Sequence, residues 1–72
     1  MHLRNKLDFL KATMFEYRQR KKRMIKYLEQ PNLDHSTVEL YQKSIMDITK
    51  TISQIEKDMI EIQGTLALLG VG

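Results

Sequence analysis

The C-terminal half of the chain contains an unbroken series of apolar residues that recur at alternating spacings of three and four. Because this spacing brings every member to one side of an α-helix, the series has the form of a coiled-coil heptad repeat. Its ten positions are Val38, Tyr41, Ile45, Ile48, Ile52, Ile55, Met59, Ile62, Leu66 and Leu69. The series predicts a long helix over residues 36–69 and a partner helix that covers its apolar side.

The N-terminal half contains a second series with the same alternating spacing. Its eight positions are Leu3, Leu7, Leu10, Met14, Tyr17, Lys21, Met24 and Leu28. Lys21 is the one polar member of this series. The series predicts a helix over residues 3–29.

Pro31 separates the two series. Proline lacks an amide proton and disfavours helical geometry at the residue before it, so residues 30–35 are predicted to form a loop. A short loop between two long helices makes them antiparallel neighbours. The heptad spacing allows two registers, which differ in whether Leu28 lies beside Val38 or beside Tyr41.

Two signals compete for the start of the second helix. Ser36 and Glu39 have the spacing of a capping box, in which a hydroxyl and a carboxylate satisfy free backbone amides. Asp34 is the alternative N-cap, with Leu33 and Val38 in the positions of a hydrophobic staple. Both alternatives start the helix near residues 35–37.

The expected fold is all-α: one antiparallel two-helix coiled-coil hairpin over residues 1–72 that dimerises into a four-helix bundle, or packs on a different partner. A two-helix hairpin buries only one stripe of each helix. Isoleucine at both a and d heptad positions favours more than two strands in parallel coiled coils, and we extend that preference to this hairpin. The residues expected in the oligomer seam are Ile45, Ile48, Ile52, Ile55, Met59 and Ile62.

Further apolar residues lie outside both series. They are Phe9, Phe15, Tyr27, Leu40, Met46, Ile60 and Leu68. Isolated exposed apolar side chains are ordinary, but together these can form a second contact surface for a dimer or a partner. The apolar segment at residues 65–72 is either a fraying helix end or a partner-binding tail through Leu66, Leu68, Leu69 and Val71.

Charge divides the chain into a basic half and an acidic half. Residues 1–30 hold nine lysines and arginines against three acids, whereas residues 31–72 hold three lysines against six acids. The candidate partner-binding or phosphate-binding residues are Arg4, Lys11, Phe15, Arg18, Lys22, Arg23 and Lys26. A basic helical stripe that includes an aromatic residue suits phosphates, an acidic protein or an anionic membrane. The alternative is a solvated face that balances the acidic second helix.

Lys21 occupies an a position of the first helix. Its stem can lie in the seam while its ammonium reaches the edge. Alternatively, it controls register, because a polar seam residue costs stability but penalises other pairings and oligomeric states.

Nothing in the sequence indicates an enzyme, a metal site or a cofactor. His2 and His35 have no metal-ligating residue at a suitable spacing on a shared helix face, and a turn or cap role suits His35 better. Cysteine is absent, which suits a cytoplasmic protein. No run is long enough to span a membrane. Two thin helices offer no pocket for a small-molecule substrate.

Two functions remain. The first is a protein–protein interaction module (adaptor, chaperone or inhibitor) that works as a homodimer and binds another protein through the outer face of the first helix and the tail. The second is a nucleic-acid accessory protein that contacts phosphates through the basic stripe.

Overall fold

The computed structural model describes residues 2–70 and contains two α-helices that pack against each other in antiparallel orientation. Helix α1 spans Leu3–Tyr27 and helix α2 spans His35–Leu68. The hairpin is a rod of 55 × 17 × 15 Å, about as long as the rise of 1.5 Å per residue gives for the 34 residues of α2. The predicted helical hairpin is therefore confirmed.

The interface between α1 and α2 is the predicted apolar seam. Its buried residues are Leu7, Ile48, Ile52, Ile55, Ile62 and Leu66. Every other seam position is half-buried except Leu69, which is 66% exposed. Leu69 was predicted in the seam, but α2 ends one residue before it, at Leu68. Leu66 packs in the same cluster as Leu3, the first residue of α1. Hence Leu69 has no α1 side chain opposite it.

Helix α1 ends two residues earlier than predicted. The backbone N–H of Glu29 donates to the carbonyl of Lys26, and that of Gln30 donates to the carbonyl of Tyr27, both over three residues. Such tighter bonds satisfy carbonyls at a helix end without continuing the α-helix. Pro31 then prevents any further turn.

Helix α2 begins with Asp34 at the N-cap, the second of the two alternatives. Asp34 has extended backbone geometry, and its carbonyl accepts the first helical hydrogen bond from Val38 at 3.0 Å. The capping box does not form, because Ser36 lies inside α2 rather than at its N-cap. Glu39 instead pairs with His35, Oε1 to Nε2, at 3.0 Å. The Asp34 side chain makes no capping hydrogen bond, so the backbone and the half-buried Leu33 and Val38 define the start of α2.

The end of α2 depends on Gly70. Gly70 has a φ of +74°, which a side chain would strain, and its N–H donates to the carbonyl of Ala67 at 3.1 Å. A left-handed glycine just after the C-cap is a common way to stop a helix. Gly64, by contrast, lies within α2 and does not interrupt it.

The register follows from two contacts at opposite ends of the hairpin. Near the loop, the rings of Tyr27 and Tyr41 stack with centroids 4.5 Å apart and an interplanar angle of 16°. At the open end, Leu7, Ile62 and Leu66 form a cluster against which Leu3, Leu10 and Met59 pack. Because Tyr41 lies level with Tyr27, Leu28 lies beside Tyr41 rather than beside Val38.

Truncation of a seam isoleucine should destabilise the hairpin strongly. Replacing Ile55 by alanine removes a buried side chain and leaves a cavity, so we expect the free energy of unfolding to fall by about 2–5 kcal/mol. Lys57→Ala, on the exposed outer face of the same helix, should change it by less than about 0.5 kcal/mol. Urea unfolding followed by circular dichroism measures both, and equal effects would contradict the observed seam.

Candidate interaction surfaces

The two edges of the hairpin are distinguished by one ion pair. Arg18 Nη2 lies 3.0 Å from Glu56 Oε1, and the two side chains are 56% and 48% exposed. Both residues occupy e heptad positions, so the e positions of α1 and α2 lie along the same side of the rod. We call this the ion-pair side. An exposed pair of this kind contributes about 0–1 kcal/mol to stability, so it marks this side of the rod without stabilising the hairpin strongly.

The residues predicted to bind a partner or phosphate are six basic residues and one phenylalanine, and all of them are exposed on α1. They are Arg4, Lys11, Phe15, Arg18, Lys22, Arg23 and Lys26. Arg18 pairs with Glu56, so a phosphate could contact it only by displacing that carboxylate. A further cation, Arg20, lies over the ring of Tyr17, with its guanidinium carbon 5.4 Å from the ring centroid. Arg18 and Arg20 therefore both have partners within the hairpin.

A shallow groove runs along the C-terminal half of α1, and we call it the basic groove. Its lining residues are Arg18, Lys21, Lys22, Ile25, Lys26 and Glu29. Ile25 is 45% exposed and provides an apolar surface among the charged side chains. Sequence reasoning missed Ile25, although its e position, seven residues after Arg18, is the signal that would have found it.

Lys21 joins the seam to the basic groove. Its side chain is half-buried, as an a position requires, and it also lines the groove. This is the arrangement of a lysine whose stem packs on apolar neighbours while its ammonium reaches water. Its part in register control remains a prediction.

Six of the seven off-seam apolar residues are prominently exposed. Their exposed fractions are 63% for Phe9, 60% for Phe15, 63% for Leu40, 61% for Met46, 66% for Ile60 and 90% for Leu68. The seventh, Tyr27, is half-buried because it stacks on Tyr41. With Ile25 added to these residues, four exposed apolar side chains share the ion-pair side, at b or e heptad positions. They are Phe15 and Ile25 on α1, and Met46 and Ile60 on α2.

A second shallow depression lies on the first turns of α2, away from α1. Leu40 and Met46 provide its apolar surface, and its polar lining residues are Ser36, Glu39, Gln42 and Lys43. Its lining includes one acid and one base, so the depression has no dominant charge. The basic groove is therefore the surface of the two with the stronger charge.

The predicted tail is divided between the core and the surface. Leu66 is buried in the cluster with Leu7 and Ile62, so it stabilises the hairpin from within. Leu68 and Leu69 are exposed. Val71 lies outside the described residues. A partner could therefore reach Leu68 and Leu69 without disturbing the seam.

The predicted oligomer-seam residues pack first within the hairpin itself. Ile48, Ile52, Ile55 and Ile62 are buried between α1 and α2, while Ile45 and Met59 are half-buried. The six buried seam residues are each still 7–8% exposed to solvent. The core is thus a single row of side chains between the two helices, close to solvent on both sides.

The histidines have local structural roles. His2 is the N-cap of α1, where its Nδ1 accepts a hydrogen bond from the Arg4 backbone N–H at 3.2 Å. His35 pairs with Glu39 across one turn. Within residues 2–70, no group of three His, Asp or Glu side chains could hold a metal ion. In the same part of the chain, neither helix combines the length and apolar character needed to cross a membrane.

Compared with known proteins, the chain matches no family model, no curated protein and no solved structure.

Lys21→Leu should test whether the seam lysine controls assembly. Leucine would complete the apolar series of α1, so we expect a gain of about 1 kcal/mol in stability, equivalent to roughly 4–8 °C in Tm for a domain of this size. Loss of the polar seam residue should also broaden the distribution of oligomers. Thermal unfolding and light scattering measure these changes. An unchanged Tm with one unchanged species would defeat the register role.

Proposed function

We propose that this chain is a small, non-enzymatic protein–protein interaction module, acting as an adaptor, chaperone or inhibitor through its helical hairpin. The proposal rests on the comparison of exposed with buried apolar side chains. Among the described residues, eight large apolar side chains are at least 45% exposed, whereas only six are buried. Covering one such side chain contributes about 1.5–3 kcal/mol. Four of the eight share the ion-pair side, and apolar groups collected on one surface are typical of interaction sites.

The proposed working form is a homodimer in which two hairpins make a four-helix bundle. Support comes from the thin core, because each buried isoleucine remains near an edge that a second hairpin can cover. Isoleucine at both a and d positions of α2 favours the same outcome. We place the second copy along α2, where Met46 and Ile60 add apolar surface beside the seam.

Light scattering after size-exclusion chromatography tests the dimer directly. At micromolar concentration we expect twice the chain mass of 8.5 kDa. Met46→Glu combined with Ile60→Glu should shift the protein to the monomer, because charges would have to be buried in the contact. Lys50→Gln combined with Lys57→Gln makes the same change in net charge on the outer face and should leave the mass unchanged. A monomeric wild-type protein would exclude the bundle.

The partner protein is proposed to contact the outer face of α1 and the exposed end of α2. A photoreactive phenylalanine analogue in place of Phe15 or Leu68, introduced in the native host cell, should yield discrete protein adducts on irradiation. The same analogue in place of Gln54, which is exposed and hydrogen-bonds Asp58, is the control and should yield few. Adducts absent from Phe15 and Leu68 alike would exclude this surface as a protein-binding site.

The second candidate function is binding of nucleic acid, favoured by the exposed lysines along α1. If Lys11, Lys22 and Lys26 contact phosphates together with Arg4 and Arg18, a mobility shift should weaken steeply with salt. For about five contacts on a duplex, the slope of log K against log salt is about −4.5. Absence of any shift at low salt would remove this candidate.

A further inference from the structure

We infer that the basic groove of α1 receives an acidic amphipathic α-helix of the partner protein. This inference rests on the proposed function and deepens it, because it gives the chemistry of the partner and its place on the hairpin. It depends on three features of the groove, namely its helical spacing, its charge and its apolar surface.

The spacing of the groove residues suits a third helix. Arg18, Lys22, Ile25 and Glu29 follow one another by four, three and four residues, the same alternation as the seam. Arg18, Lys22 and Ile25 form a stripe along one side of α1, at e and b positions adjacent to the seam, and Glu29 continues it in the turn that follows the helix. A helix can lie along such a stripe with its side chains between those of α1. The stripe is about 16 Å long, or roughly three turns of a partner helix.

The charge of the groove requires an acidic ligand. It contains four cations and one carboxylate, and Glu56 engages only one of those cations, Arg18. The three lysines, Lys21, Lys22 and Lys26, have no ion pair among the described residues. Carboxylates on a partner would offset the repulsion among these ammonium groups. Glu29 lies at the loop end of the groove, so it favours an orientation that brings a partner cation there.

The apolar surface of the groove distinguishes a protein helix from a nucleic acid. Ile25 and the methylene stems of the lysines can cover a leucine, isoleucine or phenylalanine of the ligand. Nucleic acids bind instead through phosphate contacts and stacking of bases on aromatic rings, and no aromatic residue lines this groove. A helix with acidic residues beside an apolar stripe fits both parts of the surface.

A second copy of this chain fits the groove less well. The exposed acids of α2 include Asp47 and Glu61, but lysines recur along the outer face of that helix. They are Lys43, Lys50 and Lys57, spaced by seven residues. An α2 helix laid in the groove with its acids inward would bring these cations close to those of α1, so the charges would be only partly complementary.

The test uses a fluorescent model peptide of about fourteen residues, or roughly four turns, with leucines on one stripe and glutamates elsewhere. Fluorescence anisotropy should show binding to the wild-type hairpin. Lys22→Glu combined with Lys26→Glu should weaken it by more than about tenfold, because two attractive contacts become repulsive. Lys50→Glu combined with Lys57→Glu makes the same charge change on α2 and should weaken it by less than about twofold.

Ile25→Gln tests the apolar part of the groove, and it should weaken peptide binding by about tenfold at unchanged helicity. A peptide with lysine in place of every glutamate should not bind. Equal losses in the groove variant and the α2 variant, or full affinity in Ile25→Gln, would overturn the inference. Tighter binding of an oligothymidylate than of the acidic peptide would overturn it in favour of nucleic acid. A changed oligomeric mass in the groove variant would overturn it in favour of a second copy.

The failure of this inference can be distinguished from failure of the proposed function. If the acidic peptide does not bind while photoadducts persist at Phe15 or Leu68, the groove assignment is wrong and the interaction module stands. If the peptide does not bind and neither position gives adducts, both are wrong.

Discussion

The fold depends on a single line of apolar contact between α1 and α2. Every buried side chain in residues 2–70 belongs to the two heptad series, and none comes from a further layer of structure. A globular domain encloses its core on several sides, whereas here the side chains that hold the helices together lie within one side-chain length of solvent. The same residues therefore determine the shape of the hairpin and make its edges favourable places for another helix.

The heptad spacing was sufficient to predict the helices and the seam. A helix that buries one stripe has apolar residues at regular spacings of three and four, and these can be read directly from the sequence. It could not give the register. A shift of one helix by half a heptad again places apolar residues opposite each other. The heptad pattern therefore fits both registers almost equally well. The deciding contact is the stacking of Tyr27 on Tyr41. Tyr27 lies outside the seam, so the heptad pattern does not include it.

Other differences between expectation and structure have equally local causes. Leu69 fits the pattern but follows the last turn of α2, and a periodic pattern does not record where a helix stops. Arg18 was expected as a surface cation, and its pairing with Glu56 depends on a register that the sequence left open. The basic groove was only partly foreseen. Its lysines were evident as a charged stripe, but the apolar contribution of Ile25 requires knowledge of which heptad edge is exposed.

The stacked tyrosines have a consequence for how this protein can be followed in solution. The chain has three tyrosines and no tryptophan, so its near-ultraviolet signals come mainly from tyrosine. Two nearly parallel rings 4.5 Å apart couple electronically, and their optical activity depends on the loop end being closed. The near-ultraviolet circular dichroism of the tyrosines should therefore report when α1 and α2 separate at the loop end, independently of the helical content.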